Sequence, residues 1–365
     1  MHKMSNSKSL FIVYTTYQML SALSTIETFH VKEFDVLIMH KNMIPYSIFL
    51  KNSGCEFVYI YEELFDKTPN YGRFRNHLCV LKNIIRKLAF FRKNKNLLGE
   101  YSHLFVPSDD SSCRVVYKVL QKSQHVSLNL FDDGVGTYSG YIYKKKSPLS
   151  RFLYSALLNK HFYEKLENIY CYMPDLIVKN PYNINAKRIF FNPHSEVFSD
   201  DVYNSINKYN HKKVIFLDQG IKDKPYIFES LSMLANVFGR ENVIIKKHPR
   251  IDGNAFYKGF LMSSDGFPIE SLASVLDLNK CVIISHSSTG CITPFLLNSC
   301  RPFAILLSRM DNHKASTIDI GFFEKINNYY GPNSILLPND INELRDAIDM
   351  ICGEVKETKL IVKKK

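Results

Sequence analysis

Val126-Ser127-Leu128-Asn129-Leu130-Phe131-Asp132-Asp133-Gly134 reads as a buried strand that stops at two carboxylates and a glycine. The same design recurs along the chain. Leu10-Phe11-Ile12-Val13-Tyr14 runs into Thr15, Thr16 and Gln18, and His103-Leu104-Phe105-Val106 runs into Ser108-Asp109-Asp110. Further on, Lys213 to Leu217 ends at Asp218-Gln219-Gly220, Asn242 to Lys246 ends just before His248, and Val282-Ile283-Ile284 ends at a serine cluster. Phe34 to Met39, Glu56 to Ile60 and Phe303 to Leu307 are further strand-like runs, with helical stretches such as Met19 to Thr28 and Ile227 to Phe238 between them. Alternating strands and helices predict parallel sheets covered on both faces. The expected fold is α/β: two doubly wound, Rossmann-like domains, 1–200 and 201–365, facing across a cleft. The polar residues fall at the carboxyl ends of strands, where open α/β sheets bind ligands.

Composition sets limits. The chain has 365 residues, long for one core and ample for two, with 45% hydrophobic and 22% charged residues. No apolar run approaches the ~20 residues of a membrane span. Leu10 to Val13 is too short for a signal-peptide core, so a cytoplasmic location is expected. Eight scattered cysteines without a Cys-x-x-Cys pair suggest buried free thiols.

A formal charge of +12 implies an acidic partner: nucleic acid, anionic lipid or a phosphorylated small molecule. Residues 71–96 hold eight Lys and Arg and no acid, with Leu78, Leu81, Ile84, Ile85, Leu88 and Phe91 at helical spacing. Lys144-Lys145-Lys146 and the tail Lys363-Lys364-Lys365 add to the basic surface. Such elements can lie on an anionic bilayer; a solvated face of a Lys-rich protein is the alternative. No nucleic-acid module is recognisable, so nucleic acid is not an expected partner. The sequence leaves a homodimer open.

Three segments carry chemistry. In Asp132-Asp133-Gly134 one carboxylate can face a cleft while its neighbour is held by backbone amides, and burial beside a like charge raises a carboxylate's pKa. An ordinary turn after a strand is the alternative. His248-Pro249-Arg250 offers an imidazole that can act as an acid near neutrality, kept extended by Pro249. Ser285-His286-Ser287-Ser288-Thr289-Gly290 is expected to open a helix over Cys291 to Leu297, where hydroxyls and free amides form an anion site. Glu270, after Pro268, is placed to grip ribose hydroxyls. Asp218 and Asp223 are rival bases, and Thr16 and Gln18 occupy the first strand-to-helix loop. There is no Asp-x-Asp, Walker loop, Gly-x-Gly-x-x-Gly or His-Glu-x-x-His, so no metal site is expected.

With these residues in this order, the chain resembles bacterial sialyltransferases, which share a (Asp/Glu)-(Asp/Glu)-Gly, a His-Pro and a Ser-Ser/Thr motif. Phe131 to Gly136, His248-Pro249-Arg250, Val13 to Met19 and Ile269-Glu270 are most similar to the lipooligosaccharide enzymes of glycosyltransferase family 52; the polysialyltransferases share the three motifs. The resemblance covers roughly residues 10 to 310 in short islands. It implies the GT-B arrangement, with an acceptor-side amino-terminal domain and a donor-binding carboxyl-terminal domain. It implies an inverting, metal-independent transfer of sialic acid from CMP-sialic acid, with no other cofactor, to a terminal sugar such as galactose on a bacterial surface glycan.

Carried over by position, the resemblance makes His248 the general acid on departing CMP. Ser287 and Ser288 hold the phosphate, Glu270 the ribose, and Pro249 and Gly220 line the donor site. Thr16, Gln18 and Asp133 belong to the acceptor or donor loop. Asp132 is the expected base, with Asp218 or Asp223 as the alternative, because the loop Leu217 to Asp223 departs from the lipooligosaccharide pattern. Members of that family often carry an amino-terminal membrane segment; here attachment to the inner membrane falls to the basic helices. A CDP-linked donor, and a non-catalytic membrane or nucleic-acid binder, are the competing readings.

Overall fold

The computed structural model describes residues 8–52, 54–55, 58–60, 73–94, 98–140, 148–158, 162–191, 204–219, 225–247, 257–263, 267–279, 281–297, 300–310, 317–355 and 361–362. The chain divides into two compact units, Met1–Phe191 and Asn192–Lys365. His248, Pro249, Arg250, Gly220, Asp223 and Lys144 to Lys146 lie outside the described residues, as does the tail Lys363 to Lys365.

In the first unit the strands are β1 (Ser9–Val13), β2 (Phe34–Ile38), β3 (Val58–Ile60), β4 (His103–Val106), β5 (Ser127–Phe131), β6 (Leu166–Cys171) and β7 (Asn185–Arg188). Among the described residues they form one parallel sheet in the order β3-β2-β1-β4-β5-β6-β7. This is the doubly wound order, and the direction of winding reverses between β1 and β4. β1, β2 and β5 are buried along their whole length, which is why they read as apolar runs.

Parallel register sets Phe11 opposite Phe105, and their rings stack at 4.3 Å. Phe131 meets Phe11 edge-on at 6.1 Å. This aromatic row pins the end of β5 immediately before Asp132. Asn129, in the middle of β5, is buried but satisfied: its amide donates to Ser127 Oγ at 3.1 Å and its carbonyl accepts from Asn168 on β6 at 2.9 Å.

The helices of this unit are α1 (Thr16–Phe29), α2 (Ser47–Asn52), α3 (Arg73–Lys93), α4 (Ser111–Leu120), α5 (Val135–Ser139) and α6 (Pro148–Leu157). Of α3, Ile84, Leu88 and Phe91 face the core, whereas Ile85, grouped with them by spacing, is 51% exposed among Lys82, Arg86 and Lys93. Lys87 lies on the inner side and donates to Ser111 Oγ and Ser112 Oγ at 3.1 and 2.7 Å, joining α3 to the start of α4.

The second unit repeats the plan with β8 (Val214–Leu217), β9 (Val243–Lys246), β10 (Leu261–Ser263), β12 (Val282–Ser285), β13 (Phe303–Leu306) and β14 (Ile335–Leu336). Their order is β10-β9-β8-β12-β13-β14, all parallel, and the winding reverses between β8 and β12. A separate antiparallel pair joins β11 (Leu276–Asp277) to β15 (Ile361–Val362). The helices are α7 (Pro225–Phe238), α8 (Ile269–Val275), α9 (Thr293–Leu296), α10 (Thr317–Tyr330) and α11 (Ile341–Val355). α7 and α11 pack on one face of the sheet, where Leu231, Leu234, Leu344 and Ile348 are buried with Val214, Ile245 and Ile284.

The helix expected over Cys291 to Leu297 is a 3-10 turn, Thr289–Cys291, followed by the four residues of α9. The reason is Pro294. In a continuous helix its missing N–H and its ring would face the carbonyl of Gly290, so it is tolerated only in the first turn.

Candidate functional site

The first unit assembles its polar residues where β1, β4 and β5 end side by side. Thr15 caps α1 by accepting the Gln18 backbone N–H at 3.2 Å. The cap turns the Gln18 side chain inward: its carbonyl accepts from the Tyr14 backbone at 2.7 Å, and its amide donates to Asp133 Oδ1. Thr16, the first residue of α1, is half-buried in the same loop.

The two adjacent aspartates have different surroundings. Asp132 is fully buried, and both its oxygens are engaged. Oδ1 accepts from Tyr17 Oη at 3.0 Å and from the Gly134 backbone at 2.8 Å; Oδ2 accepts from Tyr138 Oη and from the Tyr172 backbone at 3.3 Å. Four donors fill what a carboxylate can accept. Gly134 bends the chain to deliver its N–H, at φ 83° and ψ −146°, a conformation open only to glycine.

Asp133 is half-buried. Its backbone N–H donates to Thr137 Oγ1 at 2.9 Å, which holds the turn, and its side chain takes the bond from Gln18. Burial pushes its pKa up to about 7, opposed by the Gln18 bond and reinforced by the charges of Asp132 and Asp110. Burial also lifts Asp132, to about 6, against the pull of its bonds from Tyr138, Gly134, Tyr172 and Tyr17.

Asp110, at the end of β4, is committed to structure. Its Oδ1 caps α4 by accepting Ser112 and Cys113 backbone N–H groups at 2.5 and 3.1 Å. Cys113 is buried beside it, and burial together with that charge drives the thiol pKa well up, leaving it a poor nucleophile.

In the second unit the candidate residues follow β8 and β12, the neighbouring strands at the winding reversal. Asp218 is buried, and Tyr257 Oη donates to its Oδ1 at 2.5 Å. Gln219 reaches across to the serine loop. Its Oε1 accepts from the Ser287 backbone at 2.7 Å, and Ser285 Oγ and Ser287 Oγ lie 3.2 and 3.3 Å from it. Ser287 is exposed and Ser288 half-buried; Ser288 Oγ accepts the Gly290 N–H at 3.2 Å. His286 Nδ1 is 3.1 Å from Ser287 Oγ. Beside these groups is an open recess of about 170 Å³, lined by Asp218, Gln219, Tyr257, Ile227 and His286.

Glu270 begins α8 but is only 4% exposed, and Thr293 Oγ1 donates to its Oε1 at 2.6 Å. Burial raises its pKa, with Thr293 and Lys246 opposing. In this conformation Glu270 ties α8 to α9.

The first unit therefore brings Asp132, Asp133, Gln18 and Thr16 together, and the second brings Asp218 beside Ser287 and Ser288, with Glu270 buried behind. Tyr17, Tyr138, Tyr172, Asp110 and Gln219 were not singled out from the sequence. Tyr17 and Tyr138 lie within a few residues of recognised motifs, a signal that was available. Tyr172 and the Gln219 bridge depend on strand adjacency and have no local signature. Among the described residues no group of His, Cys, Asp and Glu side chains is arranged to hold a metal ion, and no helix is long and apolar enough to cross a membrane. Cys55, Cys113, Cys171, Cys281, Cys291, Cys300 and Cys352 are buried and unbridged.

No family model and no curated protein sequence matches the chain. Solved structures do. The glycotransferase of kitacinnamycin superposes with a TM-score of 0.58 at 10% identity, over 96% of this chain and 92% of that one. The calicheamicin glycosyltransferase CalG4 gives 0.57 at 11% identity, over 97% and 92%. A putative UDP-N-acetylglucosamine 2-epimerase from Listeria monocytogenes gives 0.52 at 10% identity, over 97% and 91%. Likeness at this level of identity is likeness of backbone. Together with the two doubly wound parallel sheets, it establishes that the chain has the GT-B fold.

Proposed function

We propose that the chain is a glycosyltransferase that draws its sugar from a nucleotide-activated donor, and that the donor is CMP-sialic acid. The observation that carries the reading is Asp133: a half-buried carboxylate with a pKa near 7 at the carboxyl end of β5, bonded to Gln18 from the loop after β1. A base is most effective when its pKa lies near the working pH. The fold is shared with glycosyltransferases along almost the whole chain. CMP-sialic acid is favoured within that class by the order of the Asp-Asp-Gly, His-Pro and Ser-Ser motifs.

In this reading the role expected of Asp132 passes to Asp133, because the four donors on Asp132 leave it no acceptor capacity for a substrate. Asp133 takes the proton of the acceptor hydroxyl as its oxygen bonds to the anomeric carbon of sialic acid. The bond from that carbon to the CMP phosphate oxygen breaks with inversion. His248 donates to the leaving phosphate, and the Ser287-Ser288 loop holds it. Asp218, buried under Tyr257, shapes the donor recess. The basic outer face of α3, with Ile85 at its centre, rests on anionic lipid and keeps the enzyme near a membrane-bound acceptor.

The test is incubation with CMP-sialic acid and galactose-terminated acceptors in EDTA, read by mass spectrometry. One added sialyl residue is expected. Transfer from UDP- or TDP-sugars with none from CMP-sialic acid would overturn the donor assignment. Stabilisation of the fold by CDP and not by CMP would favour a CDP-linked donor.

A further inference from the structure

We infer that Gln219 occupies the place of a phosphate oxygen in the serine loop, so that an incoming nucleoside monophosphate must exchange with it. The inference rests on the reading of that loop as the donor phosphate site. Two donors, the Ser287 backbone N–H and the Ser287 hydroxyl, point at one oxygen at 2.7 and 3.3 Å, and the Ser285 hydroxyl lies 3.2 Å from it. That oxygen belongs to the neutral side-chain amide of Gln219. An amide N–H with hydroxyls around a single acceptor is the donor set that phosphate oxygens take in anion-binding loops.

The loop does not need Gln219 for its shape. Ser285 Oγ donates to Leu217 O at 2.9 Å and accepts the Ser288 N–H at 3.4 Å. Cys291 N–H reaches Ser288 O at 3.2 Å and Ile292 N–H reaches Thr289 O at 2.8 Å. These bonds close the turn within its own strand pair. The glutamine is thus an occupant of the cradle rather than its framework.

Its position also limits space. Gln219 lines the open recess beside the loop. Swinging the side chain away frees the donors and removes a wall at once. Charge-assisted bonds to phosphate are roughly twice as strong as those to a neutral carbonyl, so phosphate wins the exchange. The bound state is still reached only from the fraction of molecules in which Gln219 has left, and apparent affinity falls by that fraction. Gln219 is a positioning residue that sets donor affinity without touching the reacting carbon.

The test is calorimetric titration of the full chain with CMP, and with inorganic phosphate as a second probe. Gln219→Ala is expected to bind CMP about fivefold tighter, as competing hydrogen bonds are removed. Gln219→Asn, a methylene too short to reach the loop, is expected to do the same should the alanine variant fold poorly. Gln219→Glu is expected to bind at least about tenfold more weakly at neutral pH, because it sets a like charge in the cradle. Unchanged or weaker binding by folded Gln219→Ala and Gln219→Asn would overturn the exchange. Absence of CMP and phosphate binding in every variant would remove the phosphate site and the exchange together. Tighter CMP binding in a protein that transfers no sugar would leave the exchange standing and remove the proposed activity.

Discussion

Each of the two units has a glutamine just beyond its first strand, and the two use opposite ends of the same side chain. Gln18, after β1, turns its amide N–H toward the carboxylate of Asp133. Gln219, after β8, turns its carbonyl toward a backbone N–H and two hydroxyls. The first unit therefore gathers carboxylates at the end of β5, and the serine loop of the second gathers donors. Acceptors suit the removal of a proton from a hydroxyl, and donors suit an anion. Both units are doubly wound, and the loops at the carboxyl ends of their strands differ in the polar groups they hold.

The sharpest way to break this comparison is at the aspartate pair. Asp133→Asn is expected to lower kcat by about 10²–10⁴-fold, the usual worth of a general base, in a variant that folds at least as well as wild type at neutral pH. Activity within threefold of wild type would remove Asp133 from the role. Asp132→Asn should act on the fold instead. An amide in its place leaves a buried donor facing N–H, at a cost of about 3 kcal/mol in unfolding free energy, measurable by denaturant titration. If Asp132→Asn folds as well as wild type but is inactive, the two assignments are reversed.

pH sharpens the same contrast. With Asp133 near pKa 7, kcat/KM should rise with pH through that region as the carboxylate loses its proton. The Gln18 bond favours the charged form, so Gln18→Ala should move this limb to higher pH. The stability consequence has the opposite sense. The folded pKa lies above the unfolded value near 4, so the folded state holds the extra proton and loses stability as pH rises from about 4 to 7. Asp133→Asn should remove that slope, seen as a thermal midpoint less dependent on pH across this range.

The smallest effect concerns the outer surfaces. α3 carries seven basic residues and no acid, whereas α7 of the second unit carries Glu229 as its one charged residue. Reversing Lys82 and Lys93 to Glu should weaken sedimentation with phosphatidylglycerol vesicles by about 1 kcal/mol per removed charge near the surface, leaving transfer to a soluble acceptor unaltered. Equal binding to neutral phosphatidylcholine vesicles would end the membrane proposal.

Much of the framework was legible because parallel strands buried on both faces are mostly apolar. β1, β2, β4, β5, β8, β9, β12 and β13 all announced themselves this way. β6 and β7 did not: Leu166-Glu167-Asn168-Ile169-Tyr170-Cys171 is interrupted by polar residues, and β7 is an edge strand reading Asn-Ala-Lys-Arg. The Asp-Asp-Gly turn was legible as a turn with one carboxylate held and one presented. Which was which could not be read locally. The answer lies with Tyr172, 40 residues away on the end of β6, and with Tyr17 from the first loop.

What the sequence determines by itself is the alternation of strand and helix, and the placing of carboxylates, imidazole and hydroxyls at strand ends. These depend on period, apolar run length and turn chemistry, all of them local. Only the tertiary structure decides that Asp132 is saturated while Asp133 keeps acceptor capacity, and that Gln219 sits in the serine loop. Hydrogen-bond saturation and burial depend on which strands become neighbours. The pairings of β5 with β6 and of β8 with β12 bring together groups that no local pattern relates.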